Sequence, residues 1–430
     1  LPDAAPPFGR GRPNAIAPTV TARTLESRAD TPDDRRRSDR HVVAYLAFLS
    51  ALMAVSIDTA LPAFDEIRDH FDLASADNRV SLIITSFFVG AAIGHLFYGP
   101  FSDRFGRGPV LRAGMIVYVL GAAGATFAPS MTMLFVFRFV WGLGAAGSGV
   151  LRVAIARDLY AGNRMARVMS VVMAVFLIAP VIAPTIGEGL VRLGGWRLTM
   201  AAPGLMAIGA IVWSFRFGET LPVERRRPLA FGPTFTAFRA VCSSPMTLGN
   251  TLALSFTFGA FYSFLGSSQP ILDEIYGRGH QFAAFFAVAA TAMGLVLFAG
   301  SRLMDRAGAT RVGVGSLIAT VTLSVGQLAV CLVTDGRPSV GVWFALIVAM
   351  ICSTSLVGPT LTSLAMEPMG HMAGTASAVV GMMSTAAGAG LSALIDSQID
   401  STVTPMAVGF VVYGTIALGF ALWACRFRTP

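Results

Sequence analysis

Hydrophobic positions in this chain come in long blocks rather than at amphipathic spacing. From His41 onward, apolar runs of about 20 residues recur, each long enough to cross the hydrocarbon core of a bilayer as an α-helix. Twelve such runs can be traced. Six lie near 41–62, 80–100, 109–128, 131–151, 166–190 and 200–217; six more lie near 245–267, 281–300, 312–333, 339–361, 374–395 and 405–425. A charged stretch separates the two sets, from Glu219 through Arg225, Arg226 and Arg227 to Arg239. The pattern therefore predicts an all-α membrane protein with two six-helix bundles, over 41–217 and 245–425. A linker over 218–244 joins them and a short tail over 426–430 follows. Residues 1–40 have no apolar period and are rich in Pro, Arg, Asp and Ala, which reads as a disordered arm. They show no secretory-signal pattern. The first Met is Met53, so the arm is either a genuine extension or a mis-assigned start.

Composition agrees with this. Of the 430 residues, 54% are hydrophobic and 13% are charged, the latter about half the share of a soluble domain. That excludes a soluble enzyme, a disordered regulator and a nucleic-acid module. The net charge of +8 comes with no lysine at all: all 32 basic residues are arginine. Roughly 25 of them fall in segments that share a side if the spans alternate, with about 6 on the other side. This bias places both termini in the cytoplasm of a bacterial inner membrane. The first outside loop is instead acidic, with Asp65, Glu66, Asp69, Asp72 and Asp77. Cys242, Cys331, Cys352 and Cys425 form no CxxC pair and read as small apolar fillers. No phosphate-binding GxxxxGK[ST], no HExxH, no metal-spaced Cys/His set and no GxSxG elbow occurs, so neither an enzyme nor a cofactor or metal is expected. One match to GxGxxG, Gly142-Leu-Gly144-Ala-Ala-Gly147, lies inside an apolar run. A dinucleotide fold needs a preceding strand and an acid about 20 residues on; small residues that let helices approach closely are the better reading.

The two halves carry a repeated motif. Gly99-Pro-Phe-Ser-Asp103-Arg104-Phe-Gly106-Arg107 follows the second span, and Ser301-Arg-Leu-Met-Asp305-Arg306-Ala-Gly308 follows the eighth. The first resembles the loop signature GxxxDRxGRR of the major facilitator superfamily, with Gly108 in place of its last basic residue. Arg138-Phe-Val-Trp-Gly142-Leu-Gly144-Ala-Ala146 resembles that family's span-four motif. Ala179-Pro180-Val-Ile-Ala183-Pro184-Thr-Ile-Gly187-Glu188 resembles its span-five antiporter motif, with Glu188 where most relatives carry Gly. Ile57-Asp58-Thr-Ala-Leu61-Pro62, Arg157-Asp158-Leu-Tyr160 and Ala373-Gly374-Thr375-Ala376-Ser377 narrow the resemblance to the twelve-span drug:proton antiporters of the bicyclomycin/chloramphenicol-resistance branch. Over 41–425 this resemblance implies two pseudo-symmetric bundles rocking around a midplane site. It also implies protons and a small drug such as a phenicol or bicyclomycin as partners, a lipid bilayer as surroundings, no nucleic acid, and action as a monomer.

Among residues that could carry chemistry, Asp58 comes first. It is the one acid in the first span, and a carboxylate there should face a cavity, a partner or a proton path. Arg138 is the one arginine well inside a predicted span. At a rise of about 1.5 Å per residue, Asp58 lies roughly 6 Å and Arg138 roughly 10 Å below the outer boundary, within an arginine's reach. The two are expected to form a switchable pair that couples proton binding to conformation; a permanent salt bridge is the alternative. Both also count as candidate substrate contacts, together with Asn250, Phe258 and Tyr262 of the aromatic seventh span, although an aromatic run also suits lipid or packing. Gly99, Asp103, Arg104, Gly106 and Arg107 are expected to act in gating, Asp103 by meeting the N-terminal dipole of the eleventh span near Gly374. Pro180, Pro184 and Gly187 are expected to bend the fifth span and shape the outer gate, unless they simply kink it. The competing functional reading is the same fold moving a metabolite, such as an amino acid or sugar.

Overall fold

In a computed structural model of the chain, residues 32–73, 78–160, 162–226, 228–229, 232–399 and 401–427 are described. Contacts divide the chain into Leu1–His41 and Val42–Pro430; the packing below concerns the second unit. The first half holds α1 (Pro32–Asp58), α2 (Phe64–His70), α3 (Leu82–Phe105), α4 (Arg107–Thr126), α5 (Met131–Leu159), α6 (Gly162–Gly194) and α7 (Trp196–Phe217). After α8 (Gly232–Ser243) come α9 (Pro245–Pro270), α10 (Phe282–Ala307), α11 (Ala309–Val333), α12 (Val340–Ser355), α13 (Val357–Met366), α14 (Ala373–Asp396) and α15 (Thr404–Cys425). The predicted arm reaches only partly into the described residues, and its last part is helical. Pro32 opens α1, a position at a helix start that proline suits.

The helix ends follow local chemistry. Between α3 and α4 stands Gly106 with φ +97°, and between α10 and α11 stands Gly308 with φ +83°. Each is a one-residue reversal that a side chain would strain. The motif copies thus build the same turn in each half. Ser130 caps α5 by accepting from the Met133 N–H, and Ser244 caps α9 by accepting from the Thr247 N–H, with Pro245 at the first helical position. The expected tenth span is broken at Leu356. Pro359 has no N–H and its ring opposes the carbonyl four residues back, at Ser355, where α12 ends.

Close helix contact explains the glycines of the GxGxxG match in α5. A Cβ at Gly142 would lie 1.9 Å from the Phe87 carbonyl oxygen of α3, and one at Gly144 would lie 2.3 Å from the Tyr118 nitrogen of α4. Helix α5 therefore presents one glycine to each neighbour, main chain against main chain, with no room for a nucleotide. Fully buried Leu46, Leu49, Leu52, Phe64, Phe87, Tyr118 and Trp141 fill the core of this half. In the second half α9 packs against α13, α14 and α15.

Eleven helical segments among the described residues are long and apolar enough to cross a membrane. Of the twelve predicted runs, α9 is the one that falls short. It carries Thr247, Asn250, Thr251, Ser255, Thr257, Ser263, Ser267, Ser268 and Gln269, all buried. Its hydroxyls largely return to its own backbone, as when Thr251 donates to the Thr247 carbonyl and Ser255 to that of Thr251. A helix wrapped by neighbours with its hydroxyls satisfied needs no lipid-compatible surface.

Candidate functional site

Helix α1 stops at Asp58 because Pro62 follows in the short turn Leu61–Ala63. The last turn tightens as it ends: the Ala60 N–H donates to the Ile57 carbonyl at 3.2 Å rather than to that of Ser56. The Ser56 carbonyl is thereby freed, and the Arg138 Nη1 of α5 donates to it at 2.9 Å. Arg138 is 0% exposed, and its Nε donates to the Ile83 carbonyl at 3.3 Å. Its guanidinium carbon stands 4.7 Å over the Trp141 ring and 5.0 Å from the Phe87 ring centre. Its Nη2 is buried without a partner. Carbonyls and ring faces hold this cation.

Asp58 lies two residues beyond Ser56 and is 3% exposed. Among the described residues it makes no hydrogen bond or ion pair, so the expected Asp58–Arg138 pair is not formed in this structure. Beside it, the Ser56 hydroxyl bonds the Tyr118 hydroxyl and donates to the Leu52 carbonyl, and the Tyr118 ring meets Trp141 edge-on at 5.4 Å. Helix α6 closes the other side. Pro184 and Gly187 are buried on one face, and a Cβ at Gly187 would lie 2.5 Å from the Thr59 carbonyl oxygen. Helix α6 runs unbroken through Pro180 and Pro184, with Pro180 half-buried.

The three candidates on α9 do not share one place. Tyr262 stacks on Phe88 of α3 with ring centres 3.7 Å apart, joining the halves, and Phe258 follows at 5.6 Å. Phe258 also abuts Gly388 of α14, where a Cβ would lie 2.7 Å from its own. Asn250 lies eight residues back, about 12 Å along the helix. Its Nδ2 donates to the Met246 carbonyl at 2.8 Å and its Oδ1 is buried without a partner. Other α9 aromatics, Phe256, Phe261 and Phe264, line a separate cavity of about 20 Å³ within the second half, with Thr257, Thr320 and Thr354 as its polar groups.

The loop motif forms a tight electrostatic knot. Arg107 pairs with Asp103 at 2.6 Å and with Asp158 of α5 at 2.8 Å, and donates to the Ser102 hydroxyl at 2.7 Å. Glu219, after α7, accepts from the Arg107 and Gly108 N–H groups at 2.8 and 3.2 Å, which places a carboxylate on the N-terminus of α4. A Cβ at Gly106 would lie 2.3 Å from that carboxylate. Asp103 therefore answers Arg107, not the start of the eleventh span. Arg104 is exposed, and a Cβ at Gly99 would meet nothing within 4 Å.

Two ionisable residues escape the sequence reading by one position each. Asp396 ends α14, just past the predicted span at 374–395, and is 2% exposed. Its Oδ1 accepts from Ser263 at 2.6 Å and from Ser267 at 2.8 Å. Asn78 of the first half donates to the Asp396 carbonyl at 2.8 Å and to the Ser267 hydroxyl at 3.0 Å. With Gln269 donating to Asp65 at 2.6 Å and Arg68 paired with Glu274 at 2.8 Å, these contacts bridge the halves at the end that carries Asp58. Arg152 lies one residue past the predicted fourth span but well inside α5, so Arg138 is not the sole arginine within that helix.

A bundle of apolar helices in two halves, with charged groups buried along the seam, is the architecture of a membrane transporter. The comparisons agree. The model of the Major Facilitator Superfamily matches residues 46–393, and the chain belongs to that family. It is 31% identical over 380 residues to a bicyclomycin resistance protein homolog from Haemophilus influenzae, covering 87% of this chain and 93% of the relative. It is 26% identical over 394 residues to a chloramphenicol resistance protein from Pseudomonas aeruginosa, covering 88% and 89%. Among solved structures, the partially occluded, inward-open xylose transporter XylE from E. coli superposes with a TM-score of 0.71 at 12% identity, covering 91% of this chain and 98% of that one, a likeness of fold alone. The protein is thus a multi-span carrier of a small solute and not an enzyme.

Proposed function

We propose that the chain is a twelve-span proton-coupled exporter of small amphipathic drugs, with phenicols and bicyclomycin the first compounds to test. It is a monomer in a bacterial inner membrane, and both termini are cytoplasmic. The observation that carries this is the seam at the end of the first span. A buried acid with no counter-charge, Asp58, stands two residues from the carbonyl that holds Arg138. Such an acid is costly in a membrane unless its proton is exchanged. When Asp58 gives up its proton, the nearby guanidinium becomes its partner and leaves Ser56. Re-protonation lets Arg138 return. Since Arg138 also holds Ile83 of α3, the switch moves the contact among α1, α3 and α5. Drug occupies the seam between the halves, against Phe258 and Tyr262, with Asn250 further along as a polar anchor. The Asp103–Arg107 knot, with Gly99, Arg104 and Gly106, governs the cytoplasmic gate; Pro180, Pro184 and Gly187 shape the outer one. The resistance names of the two relatives support drug over metabolite.

The experiment is a panel of minimum inhibitory concentrations in a pump-deficient host, followed by flux into proteoliposomes under an imposed pH gradient. A shift for at least one compound and gradient-driven flux of the same compound are expected. No shift for any compound, with gradient-driven uptake of an amino acid or sugar, overturns the drug reading.

A further inference from the structure

Arg152 sits seven residues, about 10 Å, inside the end of α5. Its Nη1 donates to the Ser50 hydroxyl of α1, and its guanidinium carbon stands 5.5 Å over the Phe176 ring of α6. Its Nε is buried with no partner, and no carboxylate among the described residues pairs with it. His95 of α3 follows Gly94, which packs directly on α5 (a Cβ there would lie 2.5 Å from the Ala146 Cβ), and the Nδ1 of His95 is likewise buried with no side-chain partner. Open space adjoins both. A Cβ at Gly149, one turn before Arg152 on the same face, would meet nothing within 4 Å, and neither would one at Gly99, one turn beyond His95. Four spans thus bring a guanidinium, an imidazole, a hydroxyl and a phenyl ring to one place with no acid to balance them. An unpaired guanidinium in a membrane helix is costly, and its planar fork matches a carboxylate.

We propose that Ser50, His95, Arg152 and Phe176 form a subsite that anchors the carboxylate of an amphipathic aromatic solute. The Arg152 Nε and the His95 Nδ1 supply the donors, and Phe176 flanks the solute's ring. The subsite adds to the transport reading a further substrate class, aromatic carboxylates, distinct from the neutral phenicols and bicyclomycin, and rests on that reading only in placing the site on the translocation path. It is tested without transport. Detergent-purified full-length protein is dialysed to equilibrium against 1-naphthoate and against its neutral isostere 1-naphthamide. The native protein should bind naphthoate at least about 10-fold more tightly, as a charge-assisted bidentate contact would give. Arg152→Gln should bring naphthoate down to the level of naphthamide and leave naphthamide unchanged. No preference in the native protein, or a preference that survives Arg152→Gln, overturns the subsite. If Arg152→Gln does not fold, Ser50→Ala and His95→Ala take its place. Each should weaken naphthoate several-fold, and an unchanged preference in both overturns the proposal. Failure here with drug flux intact removes the subsite alone. A naphthoate preference without proton-driven drug flux removes the export reading alone.

Discussion

Replacing Gly142 by alanine tests whether the span-four glycines exist for packing. The new methyl would sit 1.9 Å from the Phe87 carbonyl oxygen and 3.0 Å from the Ala91 nitrogen. Comfortable carbon–oxygen contact begins at roughly 3.5 Å, so α3 and α5 would have to part by more than ~1 Å. The obstacles are main chain, with no flexible side chain to yield. Overpacking of this kind costs about 1–3 kcal/mol, and rigid walls put Gly142→Ala at the upper end, about 3 kcal/mol. The Arg138 Nε, 3.3 Å from the Ile83 carbonyl across the same seam, would lose its bond as the helices separate. Gly149 on the same helix is the control. Its Cβ would meet nothing within 4 Å, and alanine gains up to about 1 kcal/mol of helix propensity over glycine. The assay heats detergent-solubilised fusions and follows the monodisperse fraction by size exclusion. Gly142→Ala should melt well below the native protein and Gly149→Ala at or above it. Equal midpoints for the two variants would refute the packing argument.

Asp58→Asn should abolish flux driven by a pH gradient but preserve exchange of drug against drug, because only the proton step is removed; proteoliposomes loaded with unlabelled drug measure both. Gly106→Ala should destabilise the protein by about 1–3 kcal/mol, since the residue combines φ +97° with a Cβ 2.3 Å from the Glu219 carboxylate; Glu219→Ala in the same background should recover part of the loss in thermal midpoint. Arg68→Ala removes the 2.8 Å ion pair to Glu274 and loosens the bridge between the halves. Labelling of Tyr262→Cys by a membrane-impermeant maleimide should then rise several-fold, and unchanged labelling would remove the bridge from the gating cycle.

Long apolar runs made most of the fold legible, because a bilayer demands about 20 apolar residues for each crossing and little else resembles that pattern. The paired Asp-Arg-x-Gly motifs announced the repeat, and Gly106 and Gly308 build it as one geometry. What escaped did so for physical reasons. Helix α9 was legible as a run but is too polar to stand out by hydropathy, because several of its hydroxyls bond its own backbone and others bond α13 and α14. The split at Leu356 is written in Pro359, four residues past the last carbonyl of α12. Asp396 and Arg152 fell one residue outside runs drawn by apolar content, and a charge at a boundary reads as loop when its neighbours in space are unknown. The serines that hold Asp396 lie about 130 positions away in the chain, so no local pattern exposes them. The pairing of Asp58 with Arg138 rests on matched depth and on a family resemblance at both positions, and neither says which acceptor a guanidinium takes. Here it takes the carbonyl that the tightened end of α1 leaves free.

The four ionisable groups then fall into one scheme. Asp58, Arg138, Arg152 and Asp396 are buried or half-buried in apolar helices, and none has an opposite charge as its partner among the described residues. Carbonyls, ring faces and hydroxyls hold the three that have partners. Neutral donors and acceptors orient a charge but repay little of its desolvation, so each group carries a standing cost that pairing would relieve. A structural protein would relieve that cost with permanent ion pairs, as this one does in the Asp103–Arg107–Asp158 knot. Four groups without counter-charge inside the helices, beside ion pairs at the helix ends, is a distribution that suits a carrier. On the proposed export reading, the inner charges change partners during the cycle while the end pairs hold each bundle together.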